Sequence, residues 1–590
     1  MTIKSIIPFV VLTLALCSAT AQSTKEKLSV YGAGRFMLQN NSRSGALFEE
    51  TIIQGDTLAP DTVNPRKELS GFALFDLGFH FRPNNKTEIK ALTRVNGDLD
   101  GFWGAGIGFT FRELYIRGVL KDVIQYRVGD LDLKMTPFTI YNNHADLRRH
   151  STSPLQVYSD INEYENFSQE NRWRQQGLQT AFALNIGAKN TLDVHAHLTK
   201  DRQTDFFFVP DRLMSGGELI FNRRGLGRIG YHVNGFWEIE ETSQFAEGTS
   251  ATTVHSLSAA VMPLKDQPWV FYGEGSTSYQ GYNEIDGAPE NDNGVATTIG
   301  IRKPIKDEAW GYYGEWLSVS SEFRSPAAQS RRLNPSALNT NLPYQTNSEL
   351  QRPVTIYDMV QDPNVYNRSI QYNLAEYNPV LSNAMPYGKA TPNRQGLLVG
   401  AGREKDSTLV SKVSLDGGWL TEISGRGINE YRTFLFADAF VQLDITQQTG
   451  WKNQTLVELH TQFENTSRDG LSSETEALQG IGAVDLSSSL FEVSVSQELS
   501  DGFFVDLGVL SFNGSGNEFL AQRDAFDQVQ DYFAVDYDLT ETTVYGGVRF
   551  AFSANSNFLV QYRNSSIENG NDPANDYTWN QLIMVYNLFF

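Results

Sequence analysis

The sequence predicts an all-β protein: a closed antiparallel transmembrane β-barrel of about 22 strands, within a range of roughly 16–24, with short turns at one end and long loops at the other. Three observations carry that expectation. Segments in which apolar and polar side chains alternate with period two recur from residue 28 to residue 590. The connections between them alternate in length, a tight turn followed by a longer polar segment. After residue 21 no uninterrupted apolar stretch reaches the roughly 18 residues a membrane helix needs.

Residues 1–21 hold Lys4 as their only charged side chain, then the apolar run IIPFVVLTLALC, then Ser18, Ala19, Thr20 and Ala21. This is the pattern of a secretory signal peptide with cleavage expected after Ala21, and the run is too short to span a bilayer. Cys17 follows the bulky Leu16, where a lipoprotein cysteine wants a small residue. Cleavage would remove this single cysteine and leave no thiol for disulfides, metal binding or nucleophilic catalysis. The net charge of −21 would become about −22 with the loss of one lysine. Such acidity argues against nucleic acid and against anionic membrane surfaces as partners. Aromatic residues make up 12% of a chain whose mean hydropathy is modestly negative. A barrel explains both, because half of each strand is polar and faces the lumen; a large soluble all-β protein is the competing reading, which loop rhythm tests.

Period-two segments bounded by turn residues place strands near 28–38, 71–83, 87–97, 107–120, 123–135, 175–187, 190–200 and 214–223. Further strands fall near 228–241, 252–264, 268–281, 294–305, 309–324, 395–405 and 408–423. The last fall near 430–446, 451–466, 483–499, 502–514, 541–553, 556–568 and 576–590. Tight turns such as PNNK at 83–86, KD at 121–122, RGLG at 224–227 and SDG at 500–502 join alternate pairs. Longer polar segments lie between, at 39–70, 136–174, 201–213, 282–293, 325–394, 515–540 and 569–575. A barrel threaded from one side of a membrane should show this alternation, and a soluble sandwich has no reason to keep it.

Several strands separate two faces. In 228–241, Ile229, Tyr231, Val233, Trp237 and Ile239 oppose Arg228, His232, Asn234, Glu238 and Glu240. In 430–446, Leu435, Ala437, Ala439, Val441, Leu443 and Ile445 oppose Arg432, Asp438, Gln442 and Asp444. In 451–466, Thr455, Val457, Leu459 and Phe463 oppose Gln454, Glu458, His460 and Gln462. A charge on the lipid face costs about 2–4 kcal/mol at the midplane, so the polar members should line the lumen. Counting Glu238, Glu240, Asp438, Asp444, Glu458 and Glu492 against Arg228 and Arg432, acids lead and a cation-preferring lumen is expected, with Arg117, Arg127, Arg302, Arg549 and Arg563 as further candidate lining.

Two loops are long enough to fill a lumen. Segment 325–394 carries eight prolines, among them Pro326, Pro353 and Pro392, and six tyrosines, among them Tyr344, Tyr357 and Tyr387. Proline with aromatics favours an ordered insert over a disordered tail, so it is the first candidate to constrict or cap the lumen. Segment 136–174 is the second, with Arg148, Arg149, His150, Arg172 and Arg174 among Tyr158, Tyr164 and Trp173. Arg148, Arg149, Tyr158, Arg172, Trp173 and Arg174 could bind an anionic or sugar-like solute, since guanidinium grips carboxylate and aromatic faces stack on sugars. Ordinary loop charge balanced by Asp160, Glu163 and Glu165 is the alternative.

The final residues QLIMVYNLFF put Leu582, Met584, Tyr586, Leu588 and Phe590 on one face. This resembles the terminal strand of a Gram-negative outer-membrane β-barrel. The resemblance implies an outer-membrane location among lipid and lipopolysaccharide, and an assembly machinery that reads Phe590, Leu588 and Tyr586. The segment FRELYIRGVLKDVIQYRVGDLDL at 111–133 is similar to paired strands of substrate-selective porins. There Glu113, Tyr115, Arg117, Gln125 and Arg127 would share the lumen face, though salt-bridged wall residues would look the same.

Catalysis finds little support. Asp193, His195 and His197 share one strand face, opposed by Leu192, Val194, Ala196 and Leu198, and a polar lumen lining accounts for them more economically than an active site. Two histidines at i and i+2 lack assignable further metal ligands, so neither metal nor cofactor is expected. Acidic loops at 96–101, 284–294 and 568–576 offer oxygen ligands that could hold calcium, without the spacing of a calcium loop. The expected activity is a passive or selective channel for small hydrophilic solutes. The alternative is a non-catalytic anchor or assembly protein whose outer loops bind an envelope partner or polysaccharide.

Overall fold

The computed structural model describes residues 27–590 apart from 45–46, 54–56, 64–66, 99–107, 142–149, 151, 163, 165–172, 205, 209, 246–247, 263–267, 284–291, 306–308, 329–378, 381, 406–407, 426–429, 471–474, 476–481, 524–528, 554 and 574–575. Twenty-two strands form one closed antiparallel barrel, and two more form a separate hairpin. The chain enters with β1 (Leu28–Ser44), makes the hairpin of β2 (Leu47–Ile53) and β3 (Thr57–Val63), and returns in β4 (Lys67–Asn84). Strands β5 (Thr87–Asp98), β6 (Gly108–Leu120) and β7 (Ile124–Leu133) follow. A long connection bearing helix α1 (Ser153–Asn162) leads to β8 (Trp173–Asn185) and β9 (Asn190–Arg202). Next come β10 (Asp211–Arg223), β11 (Gly227–Ile239), β12 (Thr249–Val261), β13 (Val270–Asn283), β14 (Asp292–Lys303) and β15 (Gly311–Val319). The wall continues with β16 (Arg394–Glu404), β17 (Val410–Thr421), β18 (Thr433–Asp444), β19 (Thr455–Arg468) and β20 (Val484–Ser500). It ends with β21 (Phe503–Arg523), β22 (Val529–Ser553), β23 (Ser556–Asn569) and β24 (Tyr577–Phe589).

Closure is made by β1, which pairs with β4 on one side and β24 on the other. At the seam the Gly32 amide donates to the Phe590 carbonyl at 2.8 Å and the Phe590 amide to the Gly32 carbonyl at 3.1 Å. Backbone groups at membrane depth have no water to bond, so a sheet can cross only when its edges meet in this way. Gly32 permits the close approach: a Cβ there would run into the Asp76 carbonyl oxygen and the Phe590 ring.

Side chains then alternate as the pleat dictates. Phe75, Phe109, Ile116, Ile299, Leu397 and Leu507 stand exposed on the outside, while Asp76, Arg94, Glu274, Glu458 and Glu492 are buried on the inside. In β6 a bulge breaks the alternation, with Leu92 opposite Glu113 and Thr93 opposite Phe111. The extra residue puts Arg112 and Glu113 together on the inner face, and Phe111 and Leu114 remain outside.

The expected strand number agrees with the barrel, and the boundaries of three segments differ. Segments 39–70 and 515–540, read as loops, contain the β2–β3 hairpin and the extended ends of β1, β4, β21 and β22. Strands β21 and β22 reach 21 and 25 residues, well past the roughly 9–11 that cross a bilayer. Beyond lipid no face has to be apolar, so the period-two signal stops although the hydrogen-bonded ladder goes on. At 309–324 the opposite occurs: β15 ends at Val319 and the chain folds inward, with Phe323 and Ala327 fully buried.

Replacing Gly32 by Val should strain the seam by about 1–3 kcal/mol. The expected result is a lower temperature for conversion of the compact to the unfolded band on heat-modifiability gels, measured against Gly34→Val, whose site has ordinary contact distances.

Candidate functional site

The described residues of the connection between β7 and β8 lie inside the barrel and are fastened to the wall at successive strands. Thr136 Oγ1 donates to Glu274 of β13 at 2.5 Å, and the Tyr141 amide donates to the Ala327 carbonyl of the next inward segment at 2.8 Å. Phe138 packs edge-on against Phe323 at 5.9 Å. His150 then stacks on Phe440 of β18 at 5.1 Å, with His460 of β19 edge-on at 5.8 Å. Burial against this wall lowers the His150 pKa from its ordinary value to about 4, against the opposing pull of Asp438.

Helix α1 begins where two wall carboxylates wait. Glu458 of β19 accepts from the Ser153 amide at 2.6 Å and the Ser153 hydroxyl at 2.9 Å, and Thr152 donates to Glu492 of β20 at 2.6 Å. A helix start carries unpaired N–H groups and the positive end of its dipole, so a carboxylate from outside the helix serves as its cap. Pro154 in the first turn gives up no helical bond. One turn on, Tyr158 is fully buried; its hydroxyl donates to Gln561 of β23 at 3.2 Å, and Arg563 lies over its ring at 4.3 Å. Burial pushes the Tyr158 phenol up. Leu155, Val157 and Tyr158 belong to one apolar cluster with Leu559, Ile583 and Val585 of the inner wall.

Beyond α1 the segment reaches β4 and β6. Tyr164 donates to Asp76 of β4 at 2.6 Å, and Arg112 of β6 donates to the Tyr164 carbonyl at 3.1 Å. Asp76 has no exposure and also receives both nitrogens of an Arg94 fork at 2.7 Å and Arg112 at 3.0 Å. The loop therefore touches inward residues on β13, β18, β19, β20, β23, β4 and β6 in that order. The second inward segment belongs to the β15–β16 connection. Asn383 donates its amide to Glu464 and its side chain to Glu518, each at 2.8 Å, and Lys389 reaches Glu315 at 2.7 Å.

The sequence-chosen residues fall as follows. Glu113 meets Lys90 at 3.0 Å and Arg127 at 3.3 Å, and Arg127 covers the Tyr115 ring at 3.9 Å. Arg117 pairs with Glu88 at 2.7 Å. Arg228 is exposed at the short-turn end of β11; His232 lies between Glu218 and Ser258, and Glu238 accepts from Ser250. Glu240 stands in a 3-10 turn beyond β11 and is not part of the wall, because the strand has already ended at Ile239. Arg432 precedes β18 and bridges Glu422 at 3.0 Å and Glu518 at 2.6 Å. Asp438 meets His460 at 3.3 Å, and Asp444 accepts from the Thr446 amide at 3.1 Å. Asp193, His195 and His197 are taken up separately by Asn222, Glu218 and Asn234. Tyr586 and Leu588 lie on the outer side of β24, and Phe590 stacks on Phe75 at 5.7 Å. Arg148, Arg149, Arg172 and residues 329–378 lie outside the described residues, as do residues 99–101 and 284–291 of the acidic loops. Trp173 and Arg174 begin β8. The sequence reading missed Asp76, Arg94, Arg112 and Glu274; the signal available for Asp76 was a lone acid inside the apolar run FALFDLGFHF.

The described strands make a closed 22-stranded antiparallel β-barrel with apolar side chains exposed on its outer face. No protein-family model matches the chain, and no curated protein does. Among solved structures it is similar to Pseudomonas aeruginosa OccK5 (OpdH), at 9% identity and TM-score 0.34 over 95% of this chain and 98% of that one. A BenF-like porin from Pseudomonas fluorescens Pf-5 gives 9% identity and 0.33 over 95% and 99%. The P pilus usher (PapC) translocation pore gives 8% and 0.30 over 94% and 98%.

Two outcomes are expected for the crossing loop. Glu458→Ala removes the cap of α1, worth about 0.5–2 kcal/mol, and should speed hydrogen exchange in residues 153–158. His150 is neutral when docked and titrates near 6.5 when free, so the undocked loop binds a proton first as pH falls. Docking is complete above about 6.5 and weakens progressively down to about 4; His150→Phe should abolish that dependence in the same exchange measurement, after correction for intrinsic rates.

Proposed function

We propose that the barrel is a diffusion channel for small hydrophilic solutes, and that the β7–β8 loop is its constriction. The single observation that carries this reading is where the described residues of that loop sit, fixed to inward side chains from β13 round to β4 and so taking up part of the lumen. The inner wall offers carboxylates, guanidinium groups, hydroxyls and amides at every level, which suits solutes that hydrogen-bond and repels lipophilic ones. The described ends of the β15–β16 connection pack against that loop and take up more of the same space. On this reading residues 1–21 direct export, and Phe590, Leu588 and Tyr586 present the closing strand for assembly. No cofactor is required.

Planar-bilayer conductance tests it. Purified protein should give stable open pores, and replacing residues 142–164 by a short Gly/Ser linker should raise conductance several-fold, because loops tolerate length changes. A silent barrel in both forms that co-purifies with another envelope protein would favour the anchor reading instead.

A further inference from the structure

At the short-turn end of the lumen, away from the crossing loop, lies a cavity of about 1130 Å³ walled by strands β4 to β9. Its charged lining among the described residues is Lys27, Arg82, Lys86, Arg117, Arg127 and a single carboxylate, Glu88, in a chain whose net charge is −21. Local charge here opposes the charge of the whole.

The arrangement is more than a count. Arg117 and Arg127 sit directly opposite one another in the β6–β7 ladder. Like charges at paired positions destabilise a sheet, and the usual expectation is one of each sign. Here Tyr115 lies between them, with the Arg127 guanidinium 3.9 Å and the Arg117 guanidinium 6.0 Å from its ring centre. Glu88 does not neutralise the group, because His80 at 2.9 Å, Arg82 at 3.5 Å and Arg117 at 2.7 Å share it. Glu113 is likewise divided between Lys90 and Arg127. The buried Arg127 Nε has no hydrogen-bond partner among the described residues. Arg82 and Arg117 keep about half of their side-chain surface open to the cavity, at 56% and 53%.

We propose that this basin is a binding site for a small, multiply charged anion of the carboxylate or phosphate class, held by the Arg117–Arg127 pair. Planar guanidinium groups match such oxygens with paired hydrogen bonds, and a bound dianion would relieve the repulsion between the two arginines. As the solute class of the channel this rests on the reading above; as a site it exists whether or not the barrel conducts.

Calorimetric titration of the full-length barrel in an uncharged detergent, at low salt, tests it with citrate as probe. Saturable binding is expected, weakened by added salt and weakened roughly tenfold or more by Arg117→Gln with Arg127→Gln. If that double variant loses its heat-modifiable band, Lys27→Gln with Arg82→Gln reports on the same basin. No citrate binding by the folded protein, or unchanged affinity in the folded variants, overturns the proposal. So does binding of short-chain phosphatidylglycerol without citrate, which would make this a headgroup site. A barrel that binds citrate and fails to conduct keeps the site and removes the channel.

Discussion

Every peptide group in the wall of this barrel has to find its partner in a neighbouring strand, and the pairing of β1 with β24 is what leaves no strand at an edge. The remaining features follow from that closure. A closed wall has one face on lipid and one on the lumen, so each strand sends every second side chain inward, whatever its polarity. Inward charges are then far from bulk water wherever protein fills the lumen, and they persist only when paired. Asp76 shows how strict this is: with no exposure it holds Arg94, Arg112 and Tyr164 at once. Taking away one partner of such a group costs about 3–5 kcal/mol, because it strands the other charges.

The same closure decides where the crossing loop can lie. Its helix settles where the inner wall is itself apolar, beside Leu559, Ile583 and Val585. Its polar ends settle where the wall offers acceptors, Glu458 and Glu492 at one end and Asp76 at the other. The run LIMV in β24 records this: a strand covered on both faces no longer needs alternation, and reads as continuously apolar.

That run was legible as one lipid-facing row, Leu582, Met584, Tyr586 and Leu588, and its inward half was not. Strand number, direction and the facing of residues such as His232, Asp438 and Glu458 could be taken from period two and turn chemistry, because both are local. The docking points of the 136–174 segment could not, since Thr136 meets Glu274 and Tyr164 meets Asp76, 138 and 88 residues apart in the chain. No spacing rule joins residues that far apart. The β6 bulge was hidden for a smaller reason: one inserted residue changes the phase, and Arg112 beside Glu113 looks like an inside–outside pair until the register is known. The inventory of acids behind the expected cation preference drew on β11 and β18 to β20, and the arginines of β6 and β7, named there as further candidate lining, fall together on another part of the wall.

Helix α1 links the stability of the loop to that of the wall. Ten residues are fewer than the roughly 12–15 at which an isolated helix becomes even marginal in water. Its first turn is completed by carboxylates from β19 and β20, and its buried face by β23 and β24, so the helix has no stable existence away from them. A crossing element of this kind cannot drift as a loose flap. Either it is docked and helical, with Tyr158 covered and Glu458 satisfied, or it undocks and loses helix and contacts together. Helix and docking are therefore coupled, and a change that weakens a contact on either wall weakens both together.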